Sequence, residues 1–159
     1  YYFVSSKGDL SVSGDVTSLL CESGNVENLP DYTFTNLFNG NKFISDAANL
    51  SLPSSTLGSH CYYAMFDGCT SLANTPELPS VTLAESCYEG MFFNCSSLEE
   101  IPESLLGAKS LESYCYDDMF CECIGLKSLP SNLTIAAPLR TLSSSLAIVV
   151  LFILSAFTK

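Results

Sequence analysis

Apolar positions in the middle of this chain recur at a helical spacing. Leu83, Cys87 and Met91 lie at i, i+4 and i+8, flanked by Ala84, Tyr88 and Phe92, while Glu85, Ser86 and Glu89 fall between them. That is the stripe of an amphipathic helix of roughly eleven residues. The stripe belongs to a larger pattern. The string CYYAMFDGCTSL at Cys61–Leu72 returns as CYEGMFFNCSSL at Cys87–Leu98 and as CYDDMFCECIGL at Cys115–Leu126. A weaker copy, TFTNLFNGNKFI, covers Thr33–Ile44, and the anchors Leu37, Met65, Met91 and Met119 stand 28, 26 and 28 residues apart. Self-similarity at one near-constant period marks a repeat architecture.

Each copy carries the signals that start and stop a helix. Eight residues before each anchor is a leucine (Leu29, Leu57, Leu83, Leu111), preceded by Asn28, Thr56, Thr82 or Ser110. These four are good N-caps, and Thr82 with Glu85 makes a capping box. Three residues past the anchor come Gly40, Gly68 and Asn94, which tolerate the left-handed conformation that ends a helix. Glu122 takes that place in the fourth copy, where the helix end is less well marked. A second element follows, Cys95-x-x-Leu98-x-x-Ile101-Pro102, matched by Cys69, Leu72, Thr75, Pro76 and by Cys123, Leu126, Leu129, Pro130. Six or so residues closed by proline suit a short strand. The expected fold is an α/β, leucine-rich-repeat-like solenoid of about four helix-plus-short-strand units, because no single unit buries its own stripe.

The GCTSL and NCSSL strings, the preceding CYxxMF and the PELPSVTLAESCY linker resemble BspA-type leucine-rich repeats. The resemblance covers about Leu29 to Leu133. It implies a solenoid used for adhesion or protein binding at the surface of bacterial or protozoan cells, without a catalytic site or a shared set of functional residues. The first copy departs from the pattern at Thr33, Asn41 and Ala48, as a terminal repeat does.

The chain divides into three parts on these grounds. Residues 1–28 hold short β-prone runs at Tyr1–Ser5, Leu10–Ser13 and Val16–Leu20, separated by Lys-Gly-Asp and Gly-Asp turns, and are expected to cap the open end of the stack. Residues 29–133 hold the four repeats. Residues 134–159 form a hydrophobic tail, uncharged from Thr141 to Thr158, where 18 residues of helix would span roughly 27 Å. The tail has three readings: a membrane anchor through 141–158, bounded by Arg140 and Lys159; a lipid-anchor signal with Ser131 or Asn132 as attachment residue; or a helix closing the stack. The anchor is the expected one, and it places the protein at the cell surface, tethered to a membrane. A chain beginning at Tyr1, without methionine or signal peptide, reads as processed or as a fragment.

Composition narrows the chemistry. Seventeen acids against six bases give a net charge of −11, which argues against nucleic acid. One histidine, His60, and no tryptophan leave little for acid–base catalysis, and no small-molecule substrate or cofactor site is evident. His60 adjoins Cys61, but neighbouring helical residues diverge by about 100° and do not form a dyad. Cys115-x5-Cys121-x-Cys123 lacks the paired knuckles of a zinc site. Six of the eight cysteines occupy repeat positions and read as small buried hydrophobes, whereas Cys21 and Cys121 are the candidates for accessible thiols. Asn49, Asn94 and Asn132 head N-glycosylation sequons.

The expected activity is non-catalytic recognition of a protein or glycan along the polar strand-side face. The candidate contact residues are Asn74, Glu77, Glu99, Glu100, Glu103 and Lys127, variable polar positions between fixed apolar ones. The alternative is a structural spacer, or a fragment of a longer adhesin that binds elsewhere.

Overall fold

The structure is a computed structural model that describes residues 10–21, 26–53 and 55–128. Its two strands are β1 (Leu10–Asp15) and β2 (Ile44–Ser51), paired in parallel from Leu10 opposite Ile44 to Asp15 opposite Ser51, with bulges after Leu10 and Ser11. Val16–Leu19, expected as a strand, is a 3-10 turn instead. Asp15 caps it, its Oδ1 accepting from the Thr17 amide at 2.8 Å and the Thr17 hydroxyl at 2.7 Å.

The expected solenoid of helix-plus-strand units is overturned: no α-helix occurs among the described residues, and β1 and β2 are the only strands there. Where each helix was expected, the chain runs through ten residues of continuous turn, at 31–40, 59–68, 85–94 and 113–122. These are the first to fourth ribbons. Every fourth residue of a ribbon has positive φ: Tyr32, Asn36 and Gly40; His60, Ala64 and Gly68; Ser86, Gly90 and Asn94; Tyr114, Asp118 and Glu122. The residues expected to end helices are therefore the last of three left-handed positions, and Glu122 joins them at φ 61°.

Backbone hydrogen bonding explains why a ribbon forms. In the second ribbon the amides of Cys61, Tyr63, Met65, Asp67 and Cys69 donate to carbonyls three residues back. The intervening amides, of His60, Tyr62, Ala64, Phe66 and Gly68, donate to Glu85, Cys87, Glu89, Met91 and Phe93 of the third ribbon. The first and third ribbons do the same, so each of the three junctions carries five bonds of 2.7–3.1 Å. An α-helix commits its amides internally and meets its neighbour at about 8–10 Å, through side chains alone. A ribbon keeps half its amides for the neighbour. The period of four also accounts for the misread stripe, because residues at i, i+4 and i+8 share a face in either structure.

The expected N-caps have a different task here. Asn28 bridges Thr56 and Thr82 bridges Ser110, in parallel, one repeat to the next. In the strand-like second element, Asp46 bridges Asn74 in the same way.

The core lies between the ribbons and these second elements. Tyr62, Met65, Phe66, Leu72, Tyr88, Met91, Phe92, Leu98 and Met119 are fully buried in it. Two aromatic ladders run up the stack. Phe34, Tyr62, Tyr88 and Tyr116 have successive centroids 5.7, 5.7 and 6.0 Å apart, and Phe38, Phe66, Phe92 and Phe120 follow at 5.1, 5.7 and 5.8 Å. All six contacts are stacked, each contributing about 0.5–1.5 kcal/mol beyond its area.

The expected hydrophobic C-terminal helix over 134–159 lies outside the described residues, as do Ser131 and Asn132. Among the described residues no helix is long and apolar enough to cross a membrane, because their apolar side chains are spent inside the stack in short runs. The membrane anchor expected through 141–158 also lies outside the described residues, so no membrane-spanning helix supports the cell-surface location that rested on it.

The left-handed positions are testable by a pair of substitutions. Gly68 has φ +71°, and a Cβ there would meet Gly40 Cα at 3.4 Å, so Gly68→Ala lowers stability by about 1 kcal/mol or more. Glu122 occupies the same repeat position with exposed surroundings, and Glu122→Gly raises stability by about 0.5–1 kcal/mol. Urea midpoints at neutral pH measure both; equal effects of like sign would rule out this backbone account.

Candidate functional site

The second elements carry the candidate contact residues, and all six are exposed. Glu99 and Lys127 stand at one repeat position. Lys127 donates its amide to the Glu99 carbonyl at 2.9 Å, and its Nζ pairs with Glu99 Oε2 at 2.6 Å. With side chains 67% and 59% exposed, this pair contributes no more than about 1 kcal/mol. Asn74 and Glu100 stand one position further on. The Asn74 carbonyl accepts from the Ala47 amide at 3.0 Å, which fixes it above the second element of the first repeat. Glu77 and Glu103 share a third position, and Glu77 Oε2 accepts from the Ser104 hydroxyl at 2.9 Å, beside Glu103. Three repeat positions of the second elements thus bear four exposed carboxylates.

Six of the eight cysteines face inward. Cys61, Cys69, Cys87, Cys95, Cys115 and Cys123 are buried as free thiols, Cys121 is half-buried and Cys21 exposed. Three of them hydrogen-bond across the junctions. The Sγ of Cys69, Cys95 and Cys123 donates to the carbonyl of Phe38, Phe66 and Phe92 at 3.2, 3.3 and 3.0 Å. A thiol is small enough for the core and supplies one donor per rung. Asn41 replaces it in the first repeat and turns its Oδ1 to the Phe43 amide at 3.0 Å. Sequence reasoning missed this role, although the recurrence of cysteine at one fixed position was its signal.

Burial removes these thiols from chemistry. It pushes Cys69 up to about 11 and Cys87 and Cys123 up to about 12. Cys61 and Cys95 go further still, burial again being the main cause, with the nearby Cys87 and Cys123 thiols adding to it. A thiol held neutral is neither nucleophile nor metal ligand. His60 is half-buried, its ring stacked on Tyr32 at 4.8 Å and tilted against Tyr63 at 5.8 Å. Its Nδ1 is buried without a hydrogen-bond partner. His60 therefore packs with tyrosines rather than activating Cys61. Among the described residues no three His, Cys, Asp or Glu side chains converge as a metal site. Of the sequon asparagines, Asn49 is exposed, Asn94 is half-buried at φ 54° in its ribbon, and Asn132 lies outside the described residues.

The Thr75 hydroxyl is unsatisfied as well. Thr75 is 7% exposed and its Oγ1 has no partner, whereas the equivalent residue of the next repeat is Ile101. No family model matches this chain, and neither a curated protein nor a solved structure does.

Two expected outcomes follow from the buried groups. Removing the orphaned hydroxyl by Thr75→Val raises the urea midpoint, by about 1 kcal/mol in unfolding free energy; a lower midpoint would mean that the hydroxyl is satisfied. The raised thiols set the alkaline limit of stability. Unfolded thiols ionise near 9.0 while folded Cys69 holds its proton to about 11, so its contribution is complete below pH 9 and is lost as pH rises toward 11. Urea denaturation under reducing conditions shows stability level near neutrality and falling by about 1 kcal/mol per buried thiol between about pH 9 and 10. Cys69→Ala makes that fall shallower.

Proposed function

We propose that this protein is a non-catalytic binding module that recognises a protein or glycan partner through the exposed edge of its stacked repeats. The observation that carries the proposal is the row formed by Asn74, Glu77, Glu99, Glu100, Glu103 and Lys127. These six side chains are solvent-exposed and stand at three repeat positions of the second elements. Stacking turns residues far apart in sequence into one extended polar surface, the usual binding device of repeat proteins. The resemblance to BspA-type repeats supports the same reading, since such repeats imply adhesion or protein binding. Four carboxylates against one lysine favour a partner presenting basic groups. The thiols and the imidazole, the groups best suited to catalysis, are taken up by packing.

A structural spacer is the second reading. The continuous hydrogen-bonded ladder favours it, because such a ladder holds its two ends at a fixed separation.

Probing arrays of basic peptides and of glycans with the purified protein tests the first reading. Binding to a basic ligand weakens as salt rises. The variant Glu77→Lys, Glu99→Lys, Glu100→Lys and Glu103→Lys binds that ligand at least about tenfold more weakly, equivalent to about 1.4 kcal/mol, with an unchanged urea midpoint. Unaltered affinity in the variant would place the contact surface elsewhere, and no ligand on either array would favour the spacer.

A further inference from the structure

The first ribbon carries a row of backbone acceptors that its own bonding leaves over. The carbonyls of Tyr32, Phe34, Asn36 and Phe38 accept turn bonds, whereas those of Asp31, Thr33, Thr35, Leu37 and Asn39 accept no hydrogen bond. All five of the latter residues are exposed or half-buried. From Phe34 to Gly40 every amide is already engaged, alternately with the second ribbon and with a turn. The edge of a β-sheet offers both N–H and C=O and takes another strand. This row offers acceptors, so it suits a group that donates hydrogen bonds and accepts none.

An aromatic ring and a carboxylate stand at the start of the row. Tyr32 is 61% exposed, and one face of its ring lies on His60 of the second ribbon at 4.8 Å. Its other face is therefore turned away from the second ribbon, as the open carbonyls are. Asp31 is exposed, and its Oδ1 accepts from the Ser59 amide at 2.8 Å, which holds the carboxylate next to the Tyr32–His60 stack. Lys42 lies past the far end of the row, so the row is most negative at Asp31.

We propose that this corner binds an arginine guanidinium of a basic peptide. The guanidinium stacks on the outer face of Tyr32 and donates to the carbonyls of Asp31 and Thr33 and to the Asp31 carboxylate. It is planar, has five donors and no acceptor, and packs on aromatic faces, whereas the lysine ammonium is a compact, strongly hydrated charge without a plane. The carbonyls of Thr35, Leu37 and Asn39 continue the row for a second arginine. Side chains of an extended peptide recur on one face every second residue, as the open carbonyls do along the ribbon. A net charge of −11 draws such a peptide in. The site uses none of the second-element residues and stands apart from the binding edge proposed above.

His60, the one histidine of the chain, reports on the site through its imidazole proton resonances. Capped Arg-Gly-Arg and Lys-Gly-Lys tripeptides are titrated into the full chain at about 0.15 M salt, where distant charges are screened. The arginine peptide shifts these resonances to saturation, and the lysine peptide binds at least about tenfold more weakly. Tyr32→Ala weakens the arginine peptide at least about tenfold, while Tyr32→Phe, which keeps the ring, does not. Asp31→Asn keeps an acceptor for the Ser59 amide but loses the charge, and it weakens binding with an unchanged urea midpoint. The variant with lysine at 77, 99, 100 and 103 binds as the unaltered chain does. Absence of a saturable shift with the arginine peptide overturns the proposal, and so does equal affinity for the two peptides. Undiminished affinity in Tyr32→Ala overturns it too, as does loss of the response in the second-element variant, which would assign the contact to that edge.

Discussion

The structure depends on a division of the backbone amides: within each of the first three ribbons alternate N–H groups close turns, and the others bond the next repeat. The left-handed residue at every fourth position makes the division possible, by turning the chain so that successive amides point to different partners. Glycine takes this conformation freely, but Ala64, Asp118 and Glu122 do so at a cost of order 1 kcal/mol each. A lone ribbon would bear that cost with half its amides unpaired. The stack offsets it with five bonds per junction, so the repeats are stable together or not at all.

The spacing set by these bonds governs the core. Rings at equivalent positions come within 5.1–6.0 Å and stack face to face, so aromatic residues recur without gaps from Phe34 to Tyr116 and from Phe38 to Phe120. At the next inward position the space suits a thiol, whose Sγ–H reaches the carbonyl of the repeat before it. A cysteine-rich composition that suggests disulfides, zinc or nucleophiles thus belongs to packing. Glu77, Glu99, Glu100 and Glu103 place four carboxylates in solvent along the second elements, in keeping with the proposed recognition by charge.

The sequence by itself determined the repeat step and the inward positions. Residues 26 or 28 apart lie over one another, and CY, MF and the following Cys and Leu point into the core because apolar groups recurring at one period must share a face. The local conformation was not legible. Leu83, Cys87 and Met91 recur every four residues, which suits both a helix of 3.6 residues per turn and a ribbon with a four-residue period, and Thr82 with Glu85 imitates a helix cap. Glycine at 40 and 68 and asparagine at 94 signalled left-handed backbone, but Ala64, Tyr114 and Glu122 carry no such signal. Only the tertiary structure decided between the two, because an amide's choice between its own turn and a neighbouring repeat depends on having that neighbour at hydrogen-bonding distance. For the same reason the exposure of Glu77, Glu99, Glu100 and Glu103 could be expected from their polarity, whereas the pairing of Glu99 with Lys127 depended on the stacked register that brings residues 28 apart to 2.6 Å.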